Sequence, residues 1–314
     1  MSQRTDALSD AISRAFLIRG GSLIKKARVT TITQFVAFCW DTGMPIPALA
    51  NVRGLHVKAF VVHMLSQGLT VRTLQTKLGH IRQCLRAAGR NGLADDPKLT
   101  NAALGAGGGS RKGTNAPISP KAWAQVLACA EQRSPELQAG IRVALFLGLR
   151  AEETVQAGPS LARWQRELAA GHLVYVTRGT KGGKTRFVLP VDREQAMAAV
   201  GFAIQVKGRR KNLYKQPTLK KARKFYDNEW LRHLKPASGE GSTPHSLRYR
   251  YAQDLEALLL TQGFTKDEAG AVIALCLGHG DGRGRYMHLV YGQHPLLAAP
   301  SSTDALDDDP DASA

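Results

Sequence analysis

Nine residues a third of the way along the chain, Gly105-Ala106-Gly107-Gly108-Gly109-Ser110-Arg111-Lys112-Gly113, include five glycines. A run with so few side chains gives a core nothing to pack and leaves the backbone its freedom, so it reads as a linker, 105–117, between two bodies. In a chain of 314 residues, each body is long enough to bury a core of its own. The expected division is a first domain over 1–104, a second over 118–300 and a tail over 301–314.

Before the linker the apolar residues fall three and four apart, as in Ile32, Phe35, Val36 and Cys39, then Val57, Phe60, Val61, Met64 and Leu65, then Leu74, Leu78, Ile81 and Leu85. That period is helical, and breaks such as Gln67-Gly68 separate the segments, which predicts a small helical bundle. After the linker, Ser119-Pro120 opens a helix, since proline costs little at the first helical position. A second apolar helix through 141–147 ends on Gly148. Residues 172–178 and 186–191 are rich in β-branched and aromatic residues and flank the turn formers 179–183, predicting a β-hairpin. The expected fold class is mainly α with a small β-hairpin or sheet (α+β).

The formal net charge is +18. Such an excess draws a polyanion, either nucleic acid or an acidic membrane surface. The tail holds five aspartates and no basic residue, so it is expected to be disordered and the rest of the chain is more basic still. Cys39, Cys84, Cys129 and Cys276 lie far apart in apolar stretches and read as reduced core residues of a cytosolic protein. No secretory leader pattern and no long apolar run is evident, so no membrane partner is expected and nucleic acid is preferred. Between 206 and 235, Lys207, Arg209, Arg210, Lys211, Lys215, Lys220, Lys221, Arg223 and Lys224 alternate with Tyr214, Phe225, Tyr226 and Trp230, a mixture suited to phosphate contacts beside packing. The expected DNA contacts are Arg111 and Lys112 in the linker, Lys184 and Arg186 behind the hairpin turn, and Arg209, Arg210 and Lys211.

Five short motifs in the second half bear chemistry. In GLRAEE, Arg150 follows an apolar helix and Glu153 lies three residues on, so a carboxylate can hold a guanidinium fork that suits phosphate oxygens. In TKGGKTR, Lys181 sits on a mobile turn from which an ammonium can protonate a leaving oxygen. In HSLR, His245 and Arg248 share one side of a helix start, an end that favours anions. In LGHG, an apolar helix stops on glycine with His279 after it. Downstream stand two phenols, Tyr286 and Tyr291, each a weak nucleophile unless such groups assist it.

In this order the motifs, closed by YMHLVYG, resemble the tyrosine recombinase or phage integrase family over 115–295. The segment VKAFVVHMLSQGLTVRTLQTKLGHIRQCLRAAGRNG resembles, more loosely, the helical core-binding domain that precedes the catalytic domain in those enzymes. The resemblance implies a C-shaped clamp on duplex DNA and a site-specific recombinase that cuts and rejoins strands through a 3′-phosphotyrosyl bond, integrating or excising a mobile element. Arg150 and Arg248 would hold the scissile phosphate, with Glu153 supporting Arg150. Lys181 would be the general acid, while His245 and His279 would serve the phosphate and the tyrosine would attack. No cofactor and no metal is implied. Double-stranded DNA, a tetramer on it and accessory bending or directionality factors would be the partners, in the cytoplasm of a bacterial cell beside its nucleoid. Residues 292–300 would pack on a neighbouring protomer. The family interval from the LGH histidine to the nucleophile is nine residues, and here that position is His288. A local insertion in the loop 280–284 would move the nucleophile to Tyr291, which is preferred, with Tyr286 the alternative.

Other readings fit less well. Gly183-Lys184-Thr185 ends like a phosphate-binding loop, but Arg178 stands where its first glycine belongs and a strand follows. Gly278, Gly280, Gly282 and Gly284 are evenly spaced and make no dinucleotide fingerprint. The nine histidines show no metal-ligand spacing. A non-catalytic DNA-binding or architectural protein remains the alternative from another class, and a type IB topoisomerase-like activity shares the chemistry.

Overall fold

The computed structural model describes residues 3–109, 115–280 and 284–291, without the side chains of Arg285 and Tyr286. Contacts gather into two compact units, residues 1–110 and 111–314. Among the described residues no helix is long and apolar enough to cross a membrane. The expected contacts Arg111 and Lys112, most of the 280–284 loop, the segment 292–300 and the acidic tail lie outside the described residues.

The first unit is helical: α1 (Gln3–Leu17), α2 (Ser22–Asp41), α3 (Gly54–Ser66), α4 (Val71–Ala87) and the single turn α5 (Asn91–Ala94). Its core is most of the set that the three-and-four spacing picks out, including Ile32, Phe35, Phe60, Leu74, Leu78 and Ile81, all buried, whereas Met64 is half-buried and Leu65, at the end of α3, is exposed. Phe35 meets Phe60 edge to face, their centroids 5.3 Å apart, a favoured aromatic geometry. Arg28 is buried among these helices, where its guanidinium donates to Gln83 and to the carbonyls of Ala15, Ile18 and Arg19. The reading of 105–117 as linker needs correction at its start. Ala106 is fully buried in this core and its carbonyl accepts from Gln75 Nε2 at 2.8 Å. One small apolar side chain and one long-range bond are enough to recruit a glycine-rich strand of backbone.

The second unit comprises α6 (Pro120–Arg133), α7 (Pro135–Phe146), α8 (Ala151–Val155), α9 (Leu161–Ala169), β1 (Val174–Val176), β2 (Arg186–Val188), α10 (Arg193–Lys207), α11 (Leu219–Glu229), α12 (Lys235–Ala237), α13 (Pro244–Thr261), α14 (Lys266–Cys276) and α15 (Gly284–Val290). A π-helical turn, Trp230–Leu234, joins α11 to α12. Ser119 and Ser134 cap α6 and α7 through their hydroxyls, each followed by proline at the first helical position. Helices α7 and α13 are buried nearly all round, as the central helices of a core must be.

β1 and β2 pair antiparallel, with Val174 opposite Val188, Tyr175 opposite Phe187 and Val176 opposite Arg186. They are shorter than 172–178 and 186–191. On the outer edge of β1, helix α9 takes over the backbone groups, since Trp164 Nε1 donates to Tyr175 O at 2.8 Å and Tyr175 N donates to Glu167 Oε2 at 3.1 Å.

Candidate active site

The site is built where α7 ends. Gly148 turns the chain with φ +55°, and a Cβ there would lie 2.4 Å from the Tyr251 ring, so glycine is required on both counts. The turn delivers Arg150 as the N-cap of α8. Its backbone N–H donates to Glu153 Oε2 at 2.8 Å, and its Nη1 donates to Glu153 Oε1 at 2.9 Å. Its Nη2 reaches the Leu277 carbonyl at 2.8 Å, bridging to the end of α14.

Arg248, one turn into α13 from its start at Pro244, is fully buried. Its Nη1 donates to Gly148 O at 2.6 Å and its Nη2 to Leu277 O. The carbonyl of Leu277 is thereby shared by two arginines. Burial draws the Arg248 guanidinium down to about 10, with Arg186 and Arg150 adding to the effect, which still leaves it charged at neutral pH. For Glu153, burial alone would push the carboxyl up, yet Arg186, Arg248 and the Arg150 N–H hold it at about 2. The site therefore contains a permanent carboxylate among guanidinium ions.

His245 begins the same helix, with its ring 5.2 Å from Tyr249 and 6.3 Å from Tyr291 by centroid. Burial, then Arg248 and Arg150, lower its pKa to about 4. The imidazole is neutral at physiological pH and its ring resonances are expected to titrate near pH 4, flat from pH 5.5 to 8. Histidine-selective NMR, assigned with His245→Asn, checks this, and a midpoint near 6.5 would contradict the geometry.

His279 follows the glycine stop of α14, its N–H bonded to Ala274 O at 2.8 Å. Its Nε2 lies 3.4 Å from the Tyr291 hydroxyl, with the donor set by the imidazole tautomer. Tyr291 is buried, its ring centroid 4.3 Å from that of Tyr249. His288, at the family's usual nucleophile interval, turns the other way, 3.4 Å from Asp267 Oδ1 and 3.9 Å from Glu256 Oε1. The Tyr286 side chain lies outside the described residues.

The structure thus brings Arg150, Glu153, His245, Arg248, His279 and Tyr291 together. Lys181 and Lys184 are exposed on the β1–β2 connection, and neither is bonded to the cluster among the described residues. That connection is nonetheless pinned at its base, for Gly179 (φ +70°) packs so closely on α8 that a Cβ would be 2.6 Å from Glu152 O.

Two expected DNA contacts are corrected. Arg186 is buried: Nε and Nη2 donate to Glu153 at 3.2 and 2.7 Å, Nη2 also reaches Gly148 O at 3.1 Å, and Nη1 donates to Cys276 O. Its strand partner Val176 faces the core, and Arg186 must share that face. Arg210 is turned inward, its Nε and Nη2 donating to the carbonyls of Lys207 and Val206 and its Nη1 3.2 Å from Glu136. Arg209 and Lys211 are exposed, as are Lys220, Lys221 and Lys224 on α11. Arg223 ties that helix to α8 through Glu152 at 3.2 Å.

The sequence reading missed a polar strip in the first unit. Lys26, Thr30 and Gln34 on α2 line up at four-residue spacing beside Thr73, Lys77 and His80 on α4, and Lys77 Nζ donates to Gln34. The spacing on α2 was its signal. Among the described residues no group of three or more His, Cys, Asp or Glu side chains is placed to hold a metal ion.

Comparison with known proteins bears on the fold and the family. The family described as Integrase matches residues 105–254, and that described as Phage integrase, N-terminal, matches residues 6–94. No curated protein matches by sequence. Among solved structures, a lambda integrase dimer bound to a COC′ core site is similar with a TM-score of 0.58 and 14% identity, over 97% of this chain and 98% of that one. The Tn1549 transposon integrase in complex with transposon right end DNA gives 0.59 and 13%, over 92% and 95%. A lambda integrase tetramer bound to a Holliday junction gives 0.57 and 15%, over 90% and 76%. These likenesses show the fold, and with the two family matches covering both units, the chain belongs to the tyrosine recombinase, or phage integrase, family of site-specific DNA recombinases.

Proposed function

We propose that Tyr291 is the nucleophile of strand cleavage, acting on a phosphate held by Arg150 and Arg248. The observation that carries this reading is the Tyr291 hydroxyl 3.4 Å from His279 Nε2 beside the arginine pair, while His288 faces away. The phenol oxygen attacks phosphorus and gives its proton to neutral His245, a 3′-phosphotyrosyl bond forms as the bond from phosphorus to the 5′ oxygen breaks, and the 5′ oxygen leaves with a proton from Lys181. A 5′ hydroxyl from a second strand reverses the step and conserves the bond. His279 holds the phosphate or the phenol in line, and neutral His245 exchanges protons beside it. Because Arg248 has no exposed surface, admission of the phosphate requires the groups over it to shift.

Double-stranded DNA is the substrate in this reading, and self-association to a tetramer places four such sites on two duplexes, as in the lambda integrase complex with a Holliday junction. Integration or excision of a mobile element, with accessory bending or directionality factors, is the role that fits. Incubation with nicked duplexes carrying candidate attachment DNA tests it. A denaturant-resistant adduct formed in chelator and without nucleotide supports the reading, and its absence with tightly bound DNA favours the architectural alternative.

The exposed lysines of α11 and the strip on α2 and α4 are the phosphate contacts in this reading. Each lysine removed is expected to lower the slope of log affinity against log salt by about 1. Lys220→Ala with Lys221→Ala and, separately, Lys26→Ala with Lys77→Ala measure the two surfaces. Arg210→Ala, turned inward, is expected to leave the slope as it is.

A further inference from the structure

We propose that Arg186 is a positioning residue for strand cleavage, locking the Glu153 carboxylate and through it the Arg150 fork. This rests on the reading above that Arg150 and Arg248 bind the scissile phosphate.

One guanidinium joins three segments. Its bonds run to Gly148 O at the end of α7, to both oxygens of Glu153 on α8, and to Cys276 O at the end of α14. Those segments carry Arg150, Glu153 and His279. Arg150 grips the same carboxylate from the other side, so Glu153 accepts from four donor groups and each arginine fixes the rotamer of the other. Room for the Arg186 stem comes from Gly278 (φ +64°), where a Cβ would lie 3.0 Å from Arg186 Cδ. The glycine of LGHG therefore both stops α14 and admits this side chain.

The charges point the same way. Arg150, Arg186 and Arg248 against Glu153 leave a net +2. A phosphodiester brings −1 and its five-coordinate transition state −2, so the cluster is better matched to the transition state than to bound substrate. Arg186 supplies one of those charges from a place where it touches no DNA.

The groups facing Glu153 are Arg186 from β2, Arg248 from α13 and Arg150 at its own helix cap. Without Arg186, burial raises the carboxyl, and as the pH falls Glu153 takes up a proton and releases Arg150. The experiment is single-turnover adduct formation by the full chain at saturating suicide duplex, from pH 5 to 9, with Arg186→Gln, Arg186→Lys and the double variant Arg186→Gln with Glu153→Gln. Arg186→Gln is expected to cut the rate on the order of a hundredfold at neutral pH, to acquire an acid limb absent from the wild type, and to bind DNA as the wild type does. Arg186→Lys is expected to recover part of the rate without the limb, and the double variant to lose the limb. An Arg186→Gln profile that is the wild-type curve scaled down, or a loss that resides in DNA affinity, overturns the proposal. If Arg186→Gln does not fold, Arg186→Lys decides, since a wild-type rate there overturns the need for a fork. Failure of the underlying reading shows separately, as a wild-type protein that forms no Tyr291-dependent adduct.

Discussion

Tyr291→Phe is expected to abolish the covalent protein–DNA adduct while leaving DNA binding and the fold intact. The substitution removes one oxygen, and that oxygen is the atom that bonds to phosphorus, so no other side chain in the cluster replaces it. The ring keeps its contact with Tyr249, whose centroid lies 4.3 Å away, and loses only the 3.4 Å approach to His279. Stability should change by less than about 1 kcal/mol, the net worth of an ordinary hydrogen bond. Tyr286→Phe is the control, expected to retain the adduct. Adduct lost with Tyr286→Phe and kept with Tyr291→Phe would reverse the assignment. His288→Ala adds a second control, since His288 faces Glu256 and Asp267 rather than the arginines. It should slow cleavage only as far as α15 loosens.

What could be read from the sequence was mostly local. Arg150 with Glu153, and His245 with Arg248, are three residues apart at helix starts, and helical spacing alone puts each pair on one side. The convergence of these pairs is not local. Two arginines from different helices meet at the carbonyl of Leu277, and sequence gives a backbone oxygen no mark of such a role. An arginine beside a turn reads as a surface residue, yet Arg186 is buried. Alternation in RFV held the contrary signal, since Arg186 and Val188 must share a face and valine prefers the core. Ala106 was hidden in another way, because composition describes a glycine run and says nothing of a distant Gln75. The choice between two tyrosines turned on counting residues through a loop, which spacing constrains poorly where glycines abound.

Glu153→Ala should be the most destabilising single change in the cluster. It leaves three guanidinium ions close together in the interior with their shared counter-charge gone and a cavity in its place. Breaking a buried ion pair by removing one partner costs about 3–5 kcal/mol. For a domain of this size that lowers the melting temperature by roughly 6–20 °C. The pH dependence follows from the same carboxyl, which ionises at about 2 in the folded protein against an ordinary value of 4.5. A depressed carboxyl contributes stability that is fully present above about pH 4.5, amounts to about 3 kcal/mol, and is lost as the pH falls toward 2. The gap in stability between wild type and Glu153→Ala should therefore be constant from pH 8 to 5 and close progressively below. Glu153→Gln keeps the shape, accepts through one oxygen only, and should fall between the two. Thermal unfolding at pH 7, 5 and 3 makes the comparison. A gap that does not narrow by pH 3 would mean that packing around Glu153, rather than its charge, holds the three arginine-bearing segments together. Cleavage should then survive in Glu153→Gln at any pH where the protein remains folded.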